Sequence, residues 1–557
     1  MEILDRAQDW ASHDPDPATA LRLQASIDSA RAGDHDALVE VRSAMAGPLQ
    51  FGTAGLRGEI GPGESRMNQA VVIRATAGLC AFLRSATERT PRVVVGCDAR
   101  HGSVEFARAA ARVISATGCV ALVLPEENPT PLTAFAVRHY DADAGIMVTA
   151  SHNPAKDNGY KVYLGGSVVP EAEQGTQIVP PYDAQIAAAI EAAPAAGVIA
   201  QDEARIEQID PRDEYVAVAS RLGRGGAEKT NLKITLTAMH GVGGALTQRV
   251  LHEAGFTQVS LVAEQADPDP DFPTVSFPNP EEPGALDLAI AQANKDKSDL
   301  IIAVDPDADR CAIAIPDSKA TNGWRQLSGD ETGALLGEYI ASFAPEGSTL
   351  ANSIVSSRLL VAIASSHGLN HQHTLTGFKW IARAPRIAFG YEEAIGYCVD
   401  PAHVRDKDGM SASVLIASLF AQLKSEGRSA LDELDRIARI YGLYVTMPLT
   451  FRVENLALIA QGMETLRSAP PATLAGSKVT TVADLSDGYN GLPPTDALLV
   501  ETEARDRVIV RPSGTEPKLK CYLEVILDVP AGKEVPWDEA RARLETIKQE
   551  FALVIGI

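Results

Sequence analysis

"RVVVGCDARHGSVEFARAAARVISATGCVALVLP" (92–125) opens on a β-branched run that stops at turn-forming residues. "VEFARAAARVISATG" (104–118) then places apolar residues at helical spacing and ends on a glycine, and "CVALVLP" (119–125) is apolar again. Strand, helix and strand within about thirty residues make a βαβ unit. "DAGIMVTA" (143–150) adds a strand that delivers Ser151 at or just beyond its C-terminal end. Ligands of open α/β sheets bind beyond that end. The fold class is α/β.

The pattern restarts twice. "KITLTAMHGVGG" (233–244), "ALTQRVLHEAGF", "VSLVAE" and "DLIIAVD" (299–305) form a second set. "TLANSIVSS" (349–357), "RLLVAIASSHG" and "RIAFGYEEA" (386–394) form a third, followed by helical stretches to about 440. The tail differs: strand-like "VTMPLTFRV", a helix near 455–468, "ALLVETEARDRVIVRPSG", "LKCYLEVILDV" and an amphipathic helix suggest a smaller α+β domain. Linkers are expected near 200–210, 316–326 and 440–447, and the domains at 1–205, 206–320, 321–443 and 444–557. The three α/β sets share architecture but no fixed residue-level period.

A chain of 557 residues needs several cores, and its 45% hydrophobic content is that of an ordinary globular protein. Net charge of -23 argues against nucleic acid and anionic membranes, but not against a small phosphorylated substrate held in a local field. No apolar run approaches the roughly 20 residues that span a bilayer. The acidic start "MEILDRAQDW" lacks a signal-peptide pattern, and cysteines 80, 97, 119, 311, 398 and 521 show no zinc spacing. A soluble cytoplasmic protein with reduced thiols is expected.

Four loops carry chemistry. In "VTASHNPAKDNGYKVY" (148–163), Ser151 lacks the Gly-x-Ser-x-Gly elbow of a serine hydrolase, and a turn would accept a serine for structural reasons alone. In "IIAVDPDADRCAIAI" (301–315), Asp305, Asp307 and Asp309 alternate after an apolar strand. Crowded carboxylates suit a solvated turn or a cation, and apolar strands on both sides favour the cation. An EF-hand fails, because its sixth position holds Arg310 and its twelfth Pro316. All-oxygen ligands on one short loop suit Mg²⁺. In "VIVRPSGTEPKLKCYLEV" (508–525), Arg511, Ser513, Gly514 and Thr515 could hold a phosphate dianion or simply close a β-turn. In "RIAFGYEEAIGYC" (386–398), Glu392 and Glu393 could accept sugar hydroxyls or start a solvated helix.

Taken together with "FGTAGLRGEIGPG" (51–63) and "SRMN" (65–68), these loops occur in the order of the α-D-phosphohexomutase superfamily. The resemblance is to the phosphoglucomutase/phosphomannomutase enzymes and covers essentially the whole chain. "SFPNPEEPGAL" (276–286) and "TLTGFKWIARA" (374–384) resemble the long bacterial phosphoglucomutase and phosphopentomutase-like subgroup.

The resemblance implies three α/β mixed-sheet domains and a C-terminal α+β domain around a central cleft. It implies an intramolecular phosphotransferase, an isomerase, with Ser151 phosphorylated at rest. It further implies Mg²⁺ held by Ser151, Asp305, Asp307 and Asp309, with a sugar 1,6-bisphosphate as activator. Lys161 matches the family's general acid/base, and its pKa of about 10.4 would need lowering by nearby cations. Arg57 and Arg310 match arginines near the phosphates, and His152 supports the serine loop. Lys379 and Glu392 match sugar-binding residues, while Arg511, Ser513, Gly514 and Thr515 match the loop that holds the non-reacting phosphate.

Many hexomutases carry a serine two positions after the glutamate, where this chain has Ala394. The expected reaction interconverts glucose 1-phosphate and glucose 6-phosphate. The rivals are a phosphopentomutase, a phosphomannomutase, a glucose 1,6-bisphosphate synthase, a phosphatase, or a binding protein without turnover. The expected partner is a small phosphosugar, and the chain is expected as a monomer or homodimer.

Overall fold

The computed structural model describes residues 2–453, 455, 457–513 and 518–556. They fall into two compact units, Met1–Leu327 with Gly396–Gln422, and Ser328–Ile395 with Leu423–Ile557.

In the first unit the opening βαβ forms as strand Arg92–Cys97, helix Ser103–Ala116 and strand Val120–Val123. The sheet runs in the order Leu56–Glu59, Asp157–Leu164, Ala144–Val148, Arg92–Cys97, Val120–Val123, Ile206–Gln208. The last four are parallel, and Asp157–Leu164 returns antiparallel beside Ala144–Val148. Val93, Val95, Ala121, Ile146 and Val148 are buried with helix residues Phe106, Ala110 and Ile114. Helices therefore cover the sheet, and its parallel strands read as unbroken apolar runs. A second sheet follows the order Trp324–Gln326, Cys311–Pro316, Leu300–Val304, Lys233–Thr237, Gln258–Leu261. The turn between Leu300–Val304 and its antiparallel neighbour Cys311–Pro316 carries the three aspartates.

Helices Glu2–His13, Pro17–Arg31 and His35–Ala44 precede these sheets and bury Ala7, Leu23, Ile27 and Val41 together. Asp16 and Asp34 cap the second and third helices by accepting the amides of Ala18 and Asp36.

The second unit holds the parallel strands Asn370–Thr374, Thr349–Ser353 and Ile387–Glu392. It also holds an antiparallel sheet ordered Leu443–Arg452, Lys518–Leu527, Arg507–Pro512, Leu498–Thr502, Ser477–Asp484, Thr473–Leu474. Helix Trp537–Ile555 buries Leu544, Ile547 and Phe551 in the core that this sheet shares.

Each expected linker holds a strand or the start of one. Ile206–Gln208 pairs with Val120–Val123, Trp324–Gln326 with Cys311–Pro316, and Leu443–Arg452 with Lys518–Leu527. The first two are three-residue edge strands, too short to show a period of two.

Candidate active site

Ser151 follows strand Ala144–Val148 with φ 53°, in the left-handed region that costs a residue bearing a Cβ. Its amide donates to Thr149 Oγ1 at 2.8 Å, and its hydroxyl donates to Asp305 Oδ2 at 3.0 Å. The side chain is thus turned away from its own strand toward the second sheet.

Asp305, Asp307 and Asp309 are buried, and each offers a carboxylate oxygen within 4.8 Å of the others. Asp305 Oδ1 accepts the Arg310 amide at 2.9 Å. Asp307 Oδ2 accepts the Thr130 hydroxyl at 2.6 Å and Lys161 Nζ at 2.7 Å; Asp309 Oδ2 accepts Lys161 Nζ at 2.9 Å. Asp307 Oδ1 and Asp309 Oδ1 are buried without a hydrogen-bond partner among the described residues. Orphaned buried carboxylate oxygens are costly unless a cation takes them, so this donor set fits a hard divalent ion. Gly241 of "HGVGG" packs behind the loop, where a Cβ would come 2.3 Å from Pro306 Cα. That motif is a backing for the aspartate turn.

The charges interlock. Burial raises the Asp305 pKa well above the carboxylate range, and Asp307 and Asp309 add to it. Burial opposes charge on Lys161, but Asp307 and Asp309 outweigh it and hold its pKa above the usual value. This reverses the expectation that cations lower it, because the immediate neighbours of the amine are carboxylates. Burial, then Arg310 and Arg57, push His152 well below its ordinary value. A neutral imidazole therefore stands with Nδ1 3.3 Å from Ser151 Oγ and 4.0 Å from Asp305 Oδ2. Arg57, on strand Leu56–Glu59, donates to Asn153 Oδ1 at 3.2 Å. Arg310 lies 3.8 Å from Glu281 and 3.9 Å from Asp309.

The first unit thus brings together Ser151, His152, Arg57, Lys161, Arg310 and the three aspartates. It also brings in Lys407, absent from the sequence reading, whose Nζ is 3.3 Å from Asp309 Oδ2. Lys407 lies in "RDKDG" (405–409), a charged stretch with no local mark of a site. Asp406 accepts Tyr163 and Gln177, and Asp408 accepts Tyr215, which seats that loop. Thr130 was missed as well, since nothing local marks a helix-start threonine as a partner of Asp307.

In the second unit Glu392 ends strand Ile387–Glu392 and is nearly buried, so the pair does not start a helix. Glu393 Oε2 accepts the hydroxyls of Ser353 at 3.0 Å and Ser356 at 2.8 Å. Lys379 lies on helix Phe378–Ile381, pressed on the glutamate strand at Gly390, where a Cβ would meet Ile381 Cγ2 at 2.5 Å. Burial raises the Tyr522 pKa, with Glu393 and Glu392 raising it further and Arg511 opposing. That places Arg511 and both glutamates within electrostatic reach of one phenol. The Ser513 amide donates to Lys518 O at 2.8 Å, while Gly514 and Thr515 lie outside the described residues.

Tandem α/β domains that turn a serine hydroxyl onto a buried acidic triad define a class built for phosphoryl chemistry. Four family models match in chain order: phosphoglucomutase/phosphomannomutase alpha/beta/alpha domain I over 48–195, domain II over 214–319, domain III over 328–438, and the C-terminal domain over 455–542. A probable phosphomannomutase of Haemophilus influenzae is 42% identical over 464 residues, covering 82% of this chain and 93% of the relative. A phosphopentomutase of Homo sapiens is 34% identical over 549 residues, covering 89% and 88%. A solved putative phosphomannomutase of Thermus thermophilus superposes with TM-score 0.69 at 24% identity, covering 90% of this chain and 99% of that one. The chain belongs to the phosphoglucomutase/phosphomannomutase family. No helix among the described residues is long and apolar enough to cross a membrane.

Proposed function

We propose that this chain is a Mg²⁺-dependent phosphosugar mutase that interconverts 1- and 6-phosphohexoses, with glucose preferred. The observation that carries the reading is the Ser151 hydroxyl 3.0 Å from Asp305 Oδ2, beside two buried aspartate oxygens with no hydrogen-bond partner among the described residues. Ser151 carries the phosphoryl group, gives it to the free hydroxyl of the sugar phosphate, and receives the other phosphate back after the bisphosphorylated sugar has turned. Such transfer depends on position and charge neutralisation more than on a strong base, which agrees with the lowered basicity of His152. Asp305, Asp307, Asp309 and an oxygen of phosphorylated Ser151 would hold Mg²⁺, which when bound neutralises charge on the transferring group. Lys161 exchanges the proton of the sugar hydroxyl. Arg57 and Arg310 face the phosphates, Glu392 and Lys379 hold the sugar, and Arg511, Ser513, Gly514 and Thr515 hold the non-reacting phosphate.

A pentose is the second reading, supported by the phosphopentomutase relative and by Ala394. The test of the function is a coupled assay on glucose 1-phosphate with Mg²⁺ and catalytic glucose 1,6-bisphosphate. Glucose 6-phosphate should form without net release of inorganic phosphate. Stoichiometric phosphate release would make the chain a phosphatase, and no turnover on any phosphosugar would end the mutase reading.

A further inference from the structure

Arg100 belongs to none of the sets above, yet it is nearly buried in the turn after strand Arg92–Cys97. Its Nη2 donates to the carbonyls of Ser151 at 2.7 Å and Asn153 at 2.6 Å. Its Nη1 donates to those of Pro154 at 2.8 Å and Asp157 at 3.2 Å. One planar fork thus gathers four carbonyls across the whole of loop 151–157, and a lysine, with a single point charge, could not match it.

The fork is itself held on two sides. Asp98 Oδ2 lies 3.4 Å from its Nε, while Asp98 Oδ1 accepts the Arg100 amide and the Ser103 hydroxyl. The Phe272 ring, from the segment following the second sheet's strand Gln258–Leu261, stands 5.0 Å from its Cζ. The same segment is tied to the backing of the aspartate turn, because the Asp269 amide donates to His240 O and the Val242 amide to Pro306 O. Arg100 is therefore wedged between the serine loop and the support of the metal-binding turn. Ser151 is pinned at both peptides, its amide by Thr149 and its carbonyl by Arg100, in a left-handed conformation that a free loop would leave.

We propose that Arg100 is a positioning residue for phosphoryl transfer: it holds the Ser151 loop so that Oγ stays aimed at Asp305, and it acts through the loop and not on the sugar. This rests on the mutase reading. A misplacement of the reacting atom by about 1 Å costs on the order of a hundredfold in rate, whereas contacts made by Glu392, Lys379 and Arg511 would be untouched.

The experiment compares wild type with Arg100→Lys and with Phe272→Leu, which keeps the fork but loosens its backing. Each is assayed at a temperature where calorimetry shows it folded. Arg100→Lys should lower kcat by about a hundredfold with KM changed by less than about threefold, and Phe272→Leu should lower kcat by about tenfold. Transfer of phosphate from glucose 1,6-bisphosphate onto dephosphorylated Ser151, read by intact mass, should slow by the same factors. A folded Arg100→Lys that keeps wild-type kcat and transfer rate overturns the proposal, as does a rise in KM matching the fall in kcat/KM. Amide exchange over residues 149–158 reads the clamp without any sugar. Faster exchange in Arg100→Lys is expected, and unchanged exchange overturns the clamp even if wild type turns over no phosphosugar.

Discussion

Ser151 Oγ lies 3.3 Å from Nδ1 of His152, a weaker base than an ordinary histidine. Burial, then Arg310 and Arg57, lower the basicity of that imidazole, and the same Nδ1 lies 4.0 Å from Asp305 Oδ2; in a serine-hydrolase triad the carboxylate holds the ring nitrogen opposite the serine. What surrounds the hydroxyl is a cluster of ionisable groups: three aspartates, Lys161, Arg57 and Arg310. Those surroundings support the proposed role of Ser151 as phosphoryl carrier, which yields two expectations. Ser151→Ala should lose at least about a thousandfold in turnover, and intact mass should show in wild type a phosphate that the variant lacks. Near-normal turnover would remove Ser151 from the chemistry. EDTA should abolish activity and Mg²⁺ restore it, and Asp307→Asn should raise the Mg²⁺ concentration for half-maximal rate. Undiminished rates in metal-free buffer would exclude the ion. The residue types in these two loops could be read from sequence because a serine and alternating aspartates each follow an apolar strand within a few positions, with Lys161 on the next strand, Asp157–Leu164. Lys407 and Thr130 could not, because their partner Asp309 or Asp307 is about a hundred residues or more away in the chain, and no local pattern records such a meeting.

At the scale of elements, the loop between strand Thr349–Ser353 and helix Leu359–Ser366 joins the parallel strands to the antiparallel sheet within the second unit. Ile354 and Val355 share a core with Leu485, Leu499 and Ile509. Arg358 and Arg507 pair with the buried Glu524, and Arg507 donates to the carbonyls of Ile354 and Ser356. Strand Asn370–Thr374 lies alongside and carries His371 and His373, with ring centroids 4.5 Å apart. Burial lowers His371 to about 4; burial with His371, Arg507 and Arg358 lowers His373 to about 3. His373 Nδ1 is buried without a hydrogen-bond partner among the described residues. A histidine with a lowered folded pKa binds fewer protons folded than unfolded, so stability falls as pH drops below its unfolded value of about 6.5. Each ring should cost up to about 2 kcal/mol by pH 5. His373→Gln should therefore shrink the loss of thermal stability between pH 7 and pH 5, read by calorimetry of the unfolding transition that includes this unit. An identical loss in variant and wild type would show that His373 is not buried neutral. Strands Thr349–Ser353, Ile387–Glu392 and Lys518–Leu527 and the final helix were legible from their residue patterns, whereas strands Asn370–Thr374 and Ser477–Asp484, rich in polar residues, were not. Nor was the ionic joint, since Arg358, Arg507 and Glu524 look like ordinary surface charges in a linear reading.

Over the whole molecule, chain order and spatial grouping part company: Gly396–Gln422 groups with the first unit although its flanks on both sides belong to the second. Sequence reasoning divides a chain into contiguous pieces, and nothing in "VRDKDGM" announces that Tyr163 and Tyr215 will seat it. Substrate choice belongs to this scale too, because the residues proposed to hold the sugar phosphate, from Arg57 to Arg511, are spread along most of the chain. Glu392 can accept from neighbouring hydroxyls, and Lys379 can donate to a hydroxyl or phosphate, which serves a hexose. Ala394 removes a hydroxyl that many hexomutases would offer, so discrimination should rest more heavily on Glu392. One neutral contact is worth only about 0.5–1.5 kcal/mol, roughly tenfold, so its absence should not abolish hexose use. Glucose 1-phosphate should accordingly lead, with mannose 1-phosphate and ribose 1-phosphate slower. Glu392→Gln should cost more with glucose than with ribose, because the pentose presents a different set of hydroxyls to the same carboxylate. The measurement is kcat/KM for the three sugar phosphates on wild type and variant. If ribose 1-phosphate leads on wild type, the glucose preference is wrong, and the missing hydroxyl at Ala394 becomes part of a site shaped for pentoses.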